Sequence, residues 1–372
     1  MKLNLPTRLG LRAIRYRYLK ATGKPARPEA LSIEVTRRCI ARCVMCNIWR
    51  SPHDLPELSV VQWLEVLRSP ILSELKELDI TGGEPFLRDD LVQLLLGIGR
   101  LKKEHLHQLR SIAITTNGIL TQKILAEVEA VIVPLEQAGI SLVFACGMDA
   151  VGAVHDLIRN VTGGWTRLHA TIEGLKQLRD LHPSLVIGIK TTVTRYNIDE
   201  LEQICQYADE QGLFTIIAPY ILTANRYANL GSEEMLALST EDRVKLGEFY
   251  KSPRFRWSYY RTELLRFLET GRMEKPCSAG FNYFFIRSTG ELFSCPIIAT
   301  SLGNVIQTPL AQLISSPAAG RFRRGVSDFP ECATCTEPGL ERYALPFEGG
   351  HYLRLFFTMN RQDFSALHNH LG

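Results

Sequence analysis

The sequence lacks the features that mark membrane-spanning, secreted or nucleic-acid-binding proteins. Its 372 residues contain no unbroken apolar run near 20 residues, so no transmembrane helix is predicted. The first acidic residue is Glu29, and arginines interrupt the 28 residues before it, which argues against a secretory signal peptide. A formal net charge of +4 is small for this length and predicts no nucleic-acid binding.

The cysteine content also excludes one class of protein. Nine cysteines, an odd number, cannot pair completely, so a disulfide framework is not expected. There is no internal repeat of fixed period and no low-complexity segment. These features predict a globular cytoplasmic protein in a reducing compartment, with cysteines that bind metal.

Short apolar or β-branched runs alternate with helical patterns over residues 31–250. This alternation is typical of β-α units, so it predicts an α/β fold: a parallel sheet curled into a partial (β/α)6 TIM-like barrel. Ligands in such sheets bind at the carboxyl ends of the strands. The predicted strands are 31–36, 76–81, 111–116, 141–146, 185–193 and 213–218, and the predicted helices lie near 59–69, 89–103, 121–137, 164–181 and 198–211.

Three cysteines follow the first predicted strand with the spacing C-x3-C-x2-C: Cys39, Cys43 and Cys46. Iron–sulfur clusters take cysteine thiolates from tight loops, and three thiolates leave one iron of a four-iron cluster open. Zinc instead usually takes four closed ligands, often from C-x2-C pairs. The triplet alone indicates either a cluster with an open iron or a group of partly buried thiols.

The second predicted strand ends in TGGEP, residues 81–85. Its two glycines permit close approach of a ligand to the backbone, and carbonyls exposed there can accept hydrogen bonds from an ammonium group. An ordinary tight turn uses the same residue types. The cysteine triplet one β-α unit earlier favours a ligand site.

Together these motifs resemble those of radical S-adenosylmethionine (SAM) enzymes. In that family the matching cysteines hold a [4Fe–4S] cluster, whose open iron chelates the amino and carboxylate groups of SAM. Electron transfer, from a donor such as flavodoxin or ferredoxin, cleaves SAM to a 5′-deoxyadenosyl radical that abstracts hydrogen from a substrate. The SAM contacts that the resemblance implies are Gly82, Gly83, Glu84, Pro85, Met45, Asn117 and Asp149.

Further segments resemble the family, at residues 115–118 and 191–197 and in the stretch after the fourth strand. Two positions depart from its pattern. Met45 stands where an aromatic residue often packs near adenine, and its apolar, adaptable side chain can replace that contact. The fourth strand ends in FACGMD rather than S-x-D-G, so the candidate for the ribose contact is Asp149.

From about residue 250 the pattern changes to a short hairpin, at 281–286 and 291–295, accompanied by four cysteines. The spacing C-x12-G-x4-C followed by C-x2-C resembles the twitch domain, the short form of the SPASM auxiliary-cluster domain. The resemblance implies a second [4Fe–4S] cluster, and a structural zinc site would use the same residues. The implied ligands are Cys277, Cys295, Cys332 and Cys335.

The N-terminal region predicts a basic amphipathic helix at residues 7–20, with an apolar face at i, i+3 and i+7 beside a stripe of arginines. Such a helix can lie on the inner, anionic face of a membrane. Alternatively, it packs across the open edge of the barrel with its arginines solvated. The apolar residues are Leu11, Ile14 and Tyr18, and the arginines are Arg8, Arg12 and Arg15.

The predicted domain organisation has four parts: the basic segment 1–30, the radical SAM barrel 31–250, the twitch domain 251–345 and a tail 346–372. The sequence predicts a radical SAM enzyme for a small-molecule or lipid-like substrate. Its auxiliary cluster is either an electron relay for an oxidation or a structural staple. Polar residues that are candidates for catalysis, without a predicted orientation, are His155, Tyr220, Arg226 and Arg287.

Two alternatives remain open at this point. A ribosomal-peptide maturase of the SPASM/twitch type is less favoured, because about 30 residues before the first strand are too few for a leader-peptide-binding domain. A protein of another class, a non-catalytic metal-binding scaffold docked on a membrane, has no need of a G-G-E-P segment.

Overall fold

The computed structural model describes residues 5–52, 54–255, 258–339 and 341–359, so residues 360–372 of the predicted tail lie outside the described part. The strands are β1 Ala30–Thr36, β2 Glu77–Gly82, β3 Ser111–Thr116, β4 Ser141–Gly147, β5 Leu185–Val193, β6 Phe214–Pro219, β7 Tyr283–Ile286, β8 Glu291–Phe293 and β9 Ser301–Asn304. The helices are α1 Leu5–Thr22, α2 Val60–Leu67, α3 Leu91–Glu104, α4 Thr121–Gln137, α5 Ala153–Arg159, α6 Gly164–Leu181, α7 Leu201–Gln211, α8 Glu233–Leu236, α9 Thr240–Lys251, α10 Ser258–Thr270, α11 Leu310–Ser315, α12 Pro317–Gly325, α13 Glu341–Glu348 and α14 Gly350–Thr358.

Strands β1 to β6 are parallel and lie side by side in chain order, within a sheet ordered β6-β5-β4-β3-β2-β1-β7-β8-β9. Crossover connections between parallel strands are right-handed. Because the strands follow one another across the sheet in chain order, all the connecting helices lie on one face of it. Strand β6 lies at one edge of the sheet, as in a barrel that is not closed. The structure confirms the predicted α/β fold with a partial (β/α)6 barrel.

The two faces of the barrel sheet differ in polarity because successive side chains point to opposite sides. On β1, Leu31, Ile33 and Val35 join the large apolar core between the sheet and the helices. The alternate residues Ser32 and Glu34 belong to the opposite face. The concave side of the barrel therefore carries polar side chains that can face a ligand.

The region after the barrel continues the same sheet. Strand β7 pairs in parallel with β1, from Ala30 opposite Tyr283 to Ile33 opposite Ile286. Strands β8 and β9 then add as an antiparallel hairpin. The predicted hairpin at 281–295 is thus attached to the barrel by main-chain hydrogen bonds. The domain boundaries near residues 250 and 345 stay predictions.

Helix α1 packs against α12, α13 and α14 at this end of the molecule. Its buried face consists of Leu9, Tyr16 and Leu19, and the Tyr16 hydroxyl donates to the carbonyl of Cys277 at 3.0 Å. The predicted apolar face at Leu11 therefore points outward. Within the described residues, no helix combines the length and the apolar character needed to cross a membrane.

Candidate functional site

A cavity at the carboxyl ends of the barrel strands brings the first cysteine triplet together. Cys39, Cys43 and Cys46 all line it, together with Gly82 and Gly83. With its open mouth the cavity encloses about 1130 Å³. That space includes solvent at the mouth, and the cavity is a cleft that opens directly above the three thiols.

The loop that carries the triplet is held from two sides by main-chain contacts. On one side, Val44 donates its backbone N–H to Ile158 at the end of α5, at 2.9 Å. On the other side, Asn47 N–H donates to the carbonyl of Tyr227 at 2.8 Å. The side chain of Asn229 also donates to the carbonyl of Met45 at 2.8 Å. These bonds fix the three thiols at the mouth of the barrel.

The glycine pair allows the ends of β1 and β2 to approach each other. A Cβ atom on Gly82 would lie 2.5 Å from the carbonyl oxygen of Thr36, and one on Gly83 would lie 2.2 Å from that of Arg38. Both distances are far shorter than any real carbon–oxygen contact, so only glycine fits. The close contact between the strand ends is therefore a second reason for these glycines, beside the predicted approach of a ligand.

Glu84 is buried beside the cavity rather than exposed to it. Its carboxylate accepts hydrogen bonds from the Thr116 hydroxyl at 2.9 Å and from the Asn117 N–H at 2.7 Å. Burial raises the pKa of Glu84 to about 7, although these hydrogen bonds lower it. Neither Glu84 nor Pro85 lines the cavity. In this structure Glu84 positions Asn117, and a direct contact to SAM stays a prediction.

Two side chains direct N–H groups at the sulfurs of the triplet. The Asn117 amide lies 4.0 Å from Cys39 Sγ, and Arg159 Nη1 lies 3.7 Å from Cys43 Sγ. Hydrogen bonds to sulfur tune iron–sulfur sites. Asp149 is fully buried and pairs with Arg159 at 2.7 Å. Its carboxylate therefore orients Arg159, while the predicted ribose contact is not tested.

The three thiols of the triplet need a bound metal to become thiolates. Burial raises the pKa of Cys39 to about 12 and that of Cys43 to about 11, so these thiols alone stay protonated at neutral pH. Metal binding requires thiolates, which a bound metal stabilises. Backbone N–H groups two residues further along, at Ala41 and Ile48, also point at the sulfurs of Cys39 and Cys46.

The four later cysteines form a second group in the apolar cluster beneath β7 and β8. Cys295 and Cys335 are buried in it, and Cys277 and Cys332 pack against it. Burial raises the pKa of Cys277 to about 12, and the neighbouring Cys335 and Cys332 raise it further. The backbone N–H of Ile297 donates to Cys295 Sγ at 3.4 Å. The structure thus brings together the four predicted auxiliary ligands.

The geometry of the later cysteines bears on the zinc alternative. A single zinc ion draws its sulfur ligands to about 2.3 Å from one point. In the part of the chain that the structure describes, no three His, Cys, Asp or Glu side chains converge in this way. A cluster instead binds each thiolate to a different iron atom, and the geometry of these cysteines alone does not distinguish the two kinds of site.

The four candidates for catalysis divide into two pairs. Tyr220 and Arg226 line the cavity, and Arg226 forms an ion pair with Glu34 at 2.6 Å. His155 is buried outside the cavity, and burial lowers its pKa to about 3, so it is neutral at physiological pH. Arg287 also lies outside the cavity lining. Only the first pair can touch a ligand in the cavity.

Three charged residues of the cavity are not among the predicted site residues: Arg159, which is described above, and Lys190 and Glu337. Lys190 on β5 and Glu337, two positions after Cys335, both line it. The sequence does carry a signal for Lys190, since it is a lone charge inside the otherwise uncharged strand LVIGIKTTV. Glu337 has no comparable signal, because only the fold brings the segment after Cys335 to the barrel mouth.

Comparison with known protein families finds two matches in the chain. Residues 33–208 match the model of the radical SAM superfamily. Residues 277–336 match the SPASM model, described as an iron-sulfur cluster-binding domain. The matched segments contain all seven predicted cluster cysteines.

The chain also resembles individual curated proteins. Pre-heme d1 synthase of Dinoroseobacter shibae is 28% identical over 194 residues, which cover 52% of this chain and 43% of the synthase. The sporulation killing factor maturation protein SkfB of Bacillus subtilis is 21% identical over 326 residues, covering 86% of this chain and 72% of SkfB. The chain therefore spans less than half of the first of these relatives.

Two solved structures share the fold. Streptococcus suis SuiB bound to S-adenosylmethionine has a TM-score of 0.60 and 17% identity, over 92% of this chain and 77% of SuiB. The anSMEcpe protein with bound AdoMet has a TM-score of 0.57 and 16% identity, over 92% of this chain and 100% of that protein. The predicted cofactors are confirmed as a SAM-binding [4Fe–4S] cluster and auxiliary iron–sulfur clusters. The predicted family is confirmed as well: the chain belongs to the radical SAM superfamily and carries a SPASM-type domain.

Proposed function

We propose that the chain cleaves SAM reductively and abstracts a hydrogen atom from a substrate held in the barrel cavity. One observation supports this most strongly: the three thiols of the first triplet and residues 336–338, just after Cys335, line the same cavity. The matching relatives are enzymes, among them a synthase and a cyclase. A non-catalytic scaffold would not need a cavity shared by both cysteine regions.

The residues of the chain have distinct parts in this proposal. Cys39, Cys43 and Cys46 would hold the first cluster, and when SAM is bound the cofactors supply a 5′-deoxyadenosyl radical. Met45 is nearly buried at the cavity wall and would pack against adenine. Asn117 would face the cluster through the amide that lies 4.0 Å from Cys39. An external one-electron donor such as flavodoxin or ferredoxin would complete the reaction.

We further propose that the auxiliary site takes part in an oxidation. Cys335 is separated by a single residue from Glu337, which lines the cavity. Thr336 between them is buried and donates to the carbonyl of Pro219 at 2.9 Å, which fixes this segment against β6. A cluster held by Cys277, Cys295, Cys332 and Cys335 would then lie beside the substrate. We propose an electron relay rather than a purely structural staple.

A small-molecule or lipid-like substrate is our first proposal, and a peptide is the second candidate. The peptide candidate is supported by SkfB, a maturation protein with 72% of its length matched, and by SuiB, which has been solved bound to the precursor peptide SuiA. The polar side chains on the concave face of the barrel support a small molecule with polar groups. Both candidates share the same hydrogen abstraction.

One experiment tests the reaction and separates the two substrate classes. The protein, reconstituted anaerobically with iron and sulfide, is given SAM, a reductant and an extract of cells grown in D2O. Because the radical takes its hydrogen from the substrate, we expect 5′-deoxyadenosine that contains deuterium. The extract is first divided by size into small-molecule and peptide fractions. Deuterium transfer from the peptide fraction would establish the maturase alternative.

The control omits the extract, and unlabelled 5′-deoxyadenosine is then expected from uncoupled cleavage of SAM. A protein that binds about eight irons yet forms no 5′-deoxyadenosine under any condition would contradict the proposed function. A colourless protein that binds zinc instead of iron would favour the scaffold alternative.

We also propose that α1 contacts an anionic membrane surface. Leu11, Ile14 and Tyr18 are 53%, 68% and 52% exposed on its outer side. Arg15 and Arg17, also exposed, flank this apolar stripe on either side. Apolar side chains flanked by cations are typical of helices that lie in the membrane interface.

Flotation with vesicles tests this contact. We expect the protein to float with phosphatidylglycerol vesicles and not with phosphatidylcholine vesicles. Ile14→Asp should weaken flotation about tenfold, because the variant loses a side chain that would enter the interface. Leu181→Asp is the matched control, since Leu181 is 75% exposed on another helix. Equal partitioning of both variants, or no flotation of the wild type, would remove the proposal.

A further inference from the structure

Three cationic side chains line the cavity, and two of them already have a carboxylate partner. Arg159 pairs with Asp149 at 2.7 Å, and Arg226 pairs with Glu34 at 2.6 Å. The third is Lys190. Among the residues that the structure describes, no carboxylate oxygen lies within 4.0 Å of its ammonium group, and it donates no hydrogen bond there.

The position of Lys190 directs it toward the site. It lies near the carboxyl end of β5, opposite Gly147, the last residue of β4, and opposite Ile216 of β6. The side chain is partly buried in the barrel rather than extended into bulk water. A lysine on this face, at this level, reaches the space between the first cysteine triplet and the segment after Cys335.

The ammonium group of Lys190 keeps its charge in this setting. The carboxylate of Glu337 raises the pKa of Lys190 more than burial lowers it. Glu337 is itself without an ion pair among the described residues, and its side chain accepts only the N–H of Gly339, at 3.0 Å. The two groups attract each other without forming an ion pair, so each remains open to a ligand group of opposite charge.

We propose that Lys190 binds a carboxylate group of the substrate whose hydrogen is abstracted, an inference that rests on the proposed function. A single ammonium matches one monoanion. A phosphate dianion would instead be repelled by Glu337 and by Asp79, both of which act electrostatically on Lys190. The carboxylate can belong to a free acid or to an acidic side chain of a peptide. Glu337, across from it, is then available to an amine of the same substrate.

A binding measurement tests this without knowledge of the natural substrate. The probes are N-acetylglycine, its neutral amide N-acetylglycinamide, and N-acetylaspartate N-methylamide, which presents a carboxylate as a peptide side chain does. Saturation-transfer NMR of the acetyl methyl group reports binding to the cluster-loaded protein with SAM present and no reductant. We expect both acids to bind at least about tenfold more tightly than the amide, because a charge-assisted hydrogen bond is formed. The stronger of the two acids indicates the source of the carboxylate.

Variants identify the residue responsible. Lys190→Met should reduce acid binding about tenfold and leave amide binding as it is, whereas Lys190→Arg should keep most of the preference for acids. Lys103→Met is the matched control, because Lys103 is exposed on α3. Iron content and SAM binding of each variant verify that it is folded.

Several results would overturn the assignment. They are equal binding of acid and amide by the wild type, an unchanged preference in Lys190→Met, and acid binding that disappears when SAM is added. The last result would mean that Lys190 serves the carboxylate of SAM. Formation of 5′-deoxyadenosine by the same preparation is measured separately. If it is absent, the proposed function fails; if it is present and acids are not preferred, only the assignment of Lys190 fails.

Discussion

Replacing Cys43 by alanine will abolish SAM cleavage, while replacing Cys332 by serine will leave 5′-deoxyadenosine formation and stop formation of the oxidised product. Cys43 would bind one of three irons beside the open one, and two thiolates do not hold a four-iron cluster. Cys332 lies in the other group of cysteines, away from the triplet. Each variant should fall from about eight irons per chain to about four.

The two variants are expected to differ because each removes a ligand of a different cluster. If both lost SAM cleavage equally, the two cysteine groups would not be separate sites. If Cys332→Ser lacked the auxiliary irons but still formed substrate-derived product, the electron-relay proposal would fail and the structural staple would remain. Cys146→Ala is the matched control, since Cys146 is fully buried in the core between sheet and helices and does not line the cavity.

The strands of the barrel are predictable from the sequence because each is a continuous apolar or β-branched run between turn signals. The third and fifth strands have the predicted bounds, Ser111–Thr116 and Leu185–Val193. The first and fourth differ by one residue at one end, and the second and sixth are shifted by one residue at both ends. The pairing of β7 with β1 is not predictable in this way. It joins residues about 250 positions apart in the chain, and no local pattern specifies such a contact.

The candidate site divides along a similar line. Local spacing identifies the first triplet, because one tight loop carries all three sulfurs. The four later cysteines are spread over residues 277–335, and only the resemblance to a known domain predicts them as one set. The direction of Glu84 is different, since its carboxylate turns away from the cavity to accept the N–H of Asn117 at 2.7 Å. Asp149 likewise turns to Arg159. Both orientations depend on partners from other β-α units, so the sequence motif names the residue but not what it contacts.

The buried pair Arg226–Glu34 shows what such long-range contacts contribute, and its removal should have a large effect on stability. Glu34 on β1 has no exposed side-chain surface, and Arg226 lies 2.6 Å away. Arg226→Met would leave this carboxylate buried with only Arg37, at 3.5 Å, as a partner. We expect a loss of about 3 kcal/mol in the free energy of unfolding, measured by urea denaturation of the cluster-loaded protein.

Arg195→Met, at an exposed arginine, is the control and should change stability little. The double variant Glu34→Gln with Arg226→Met should recover part of the loss, because it no longer buries an unpaired charge. A single variant as stable as wild type would show that the pair contributes nothing to the fold.

The same guanidinium also connects the barrel to the cysteine loop. Arg226 donates to the hydroxyl of Thr81 at 2.8 Å, at the end of β2. The next residue, Tyr227, accepts the N–H of Asn47. Loss of Arg226 should therefore release iron to a chelator faster, in the double variant as much as in the single one. The double variant is thus expected to regain stability and still lose iron quickly. That result would mean that the charged pair holds the cluster loop in place, which an uncharged pair of equal stability would not do.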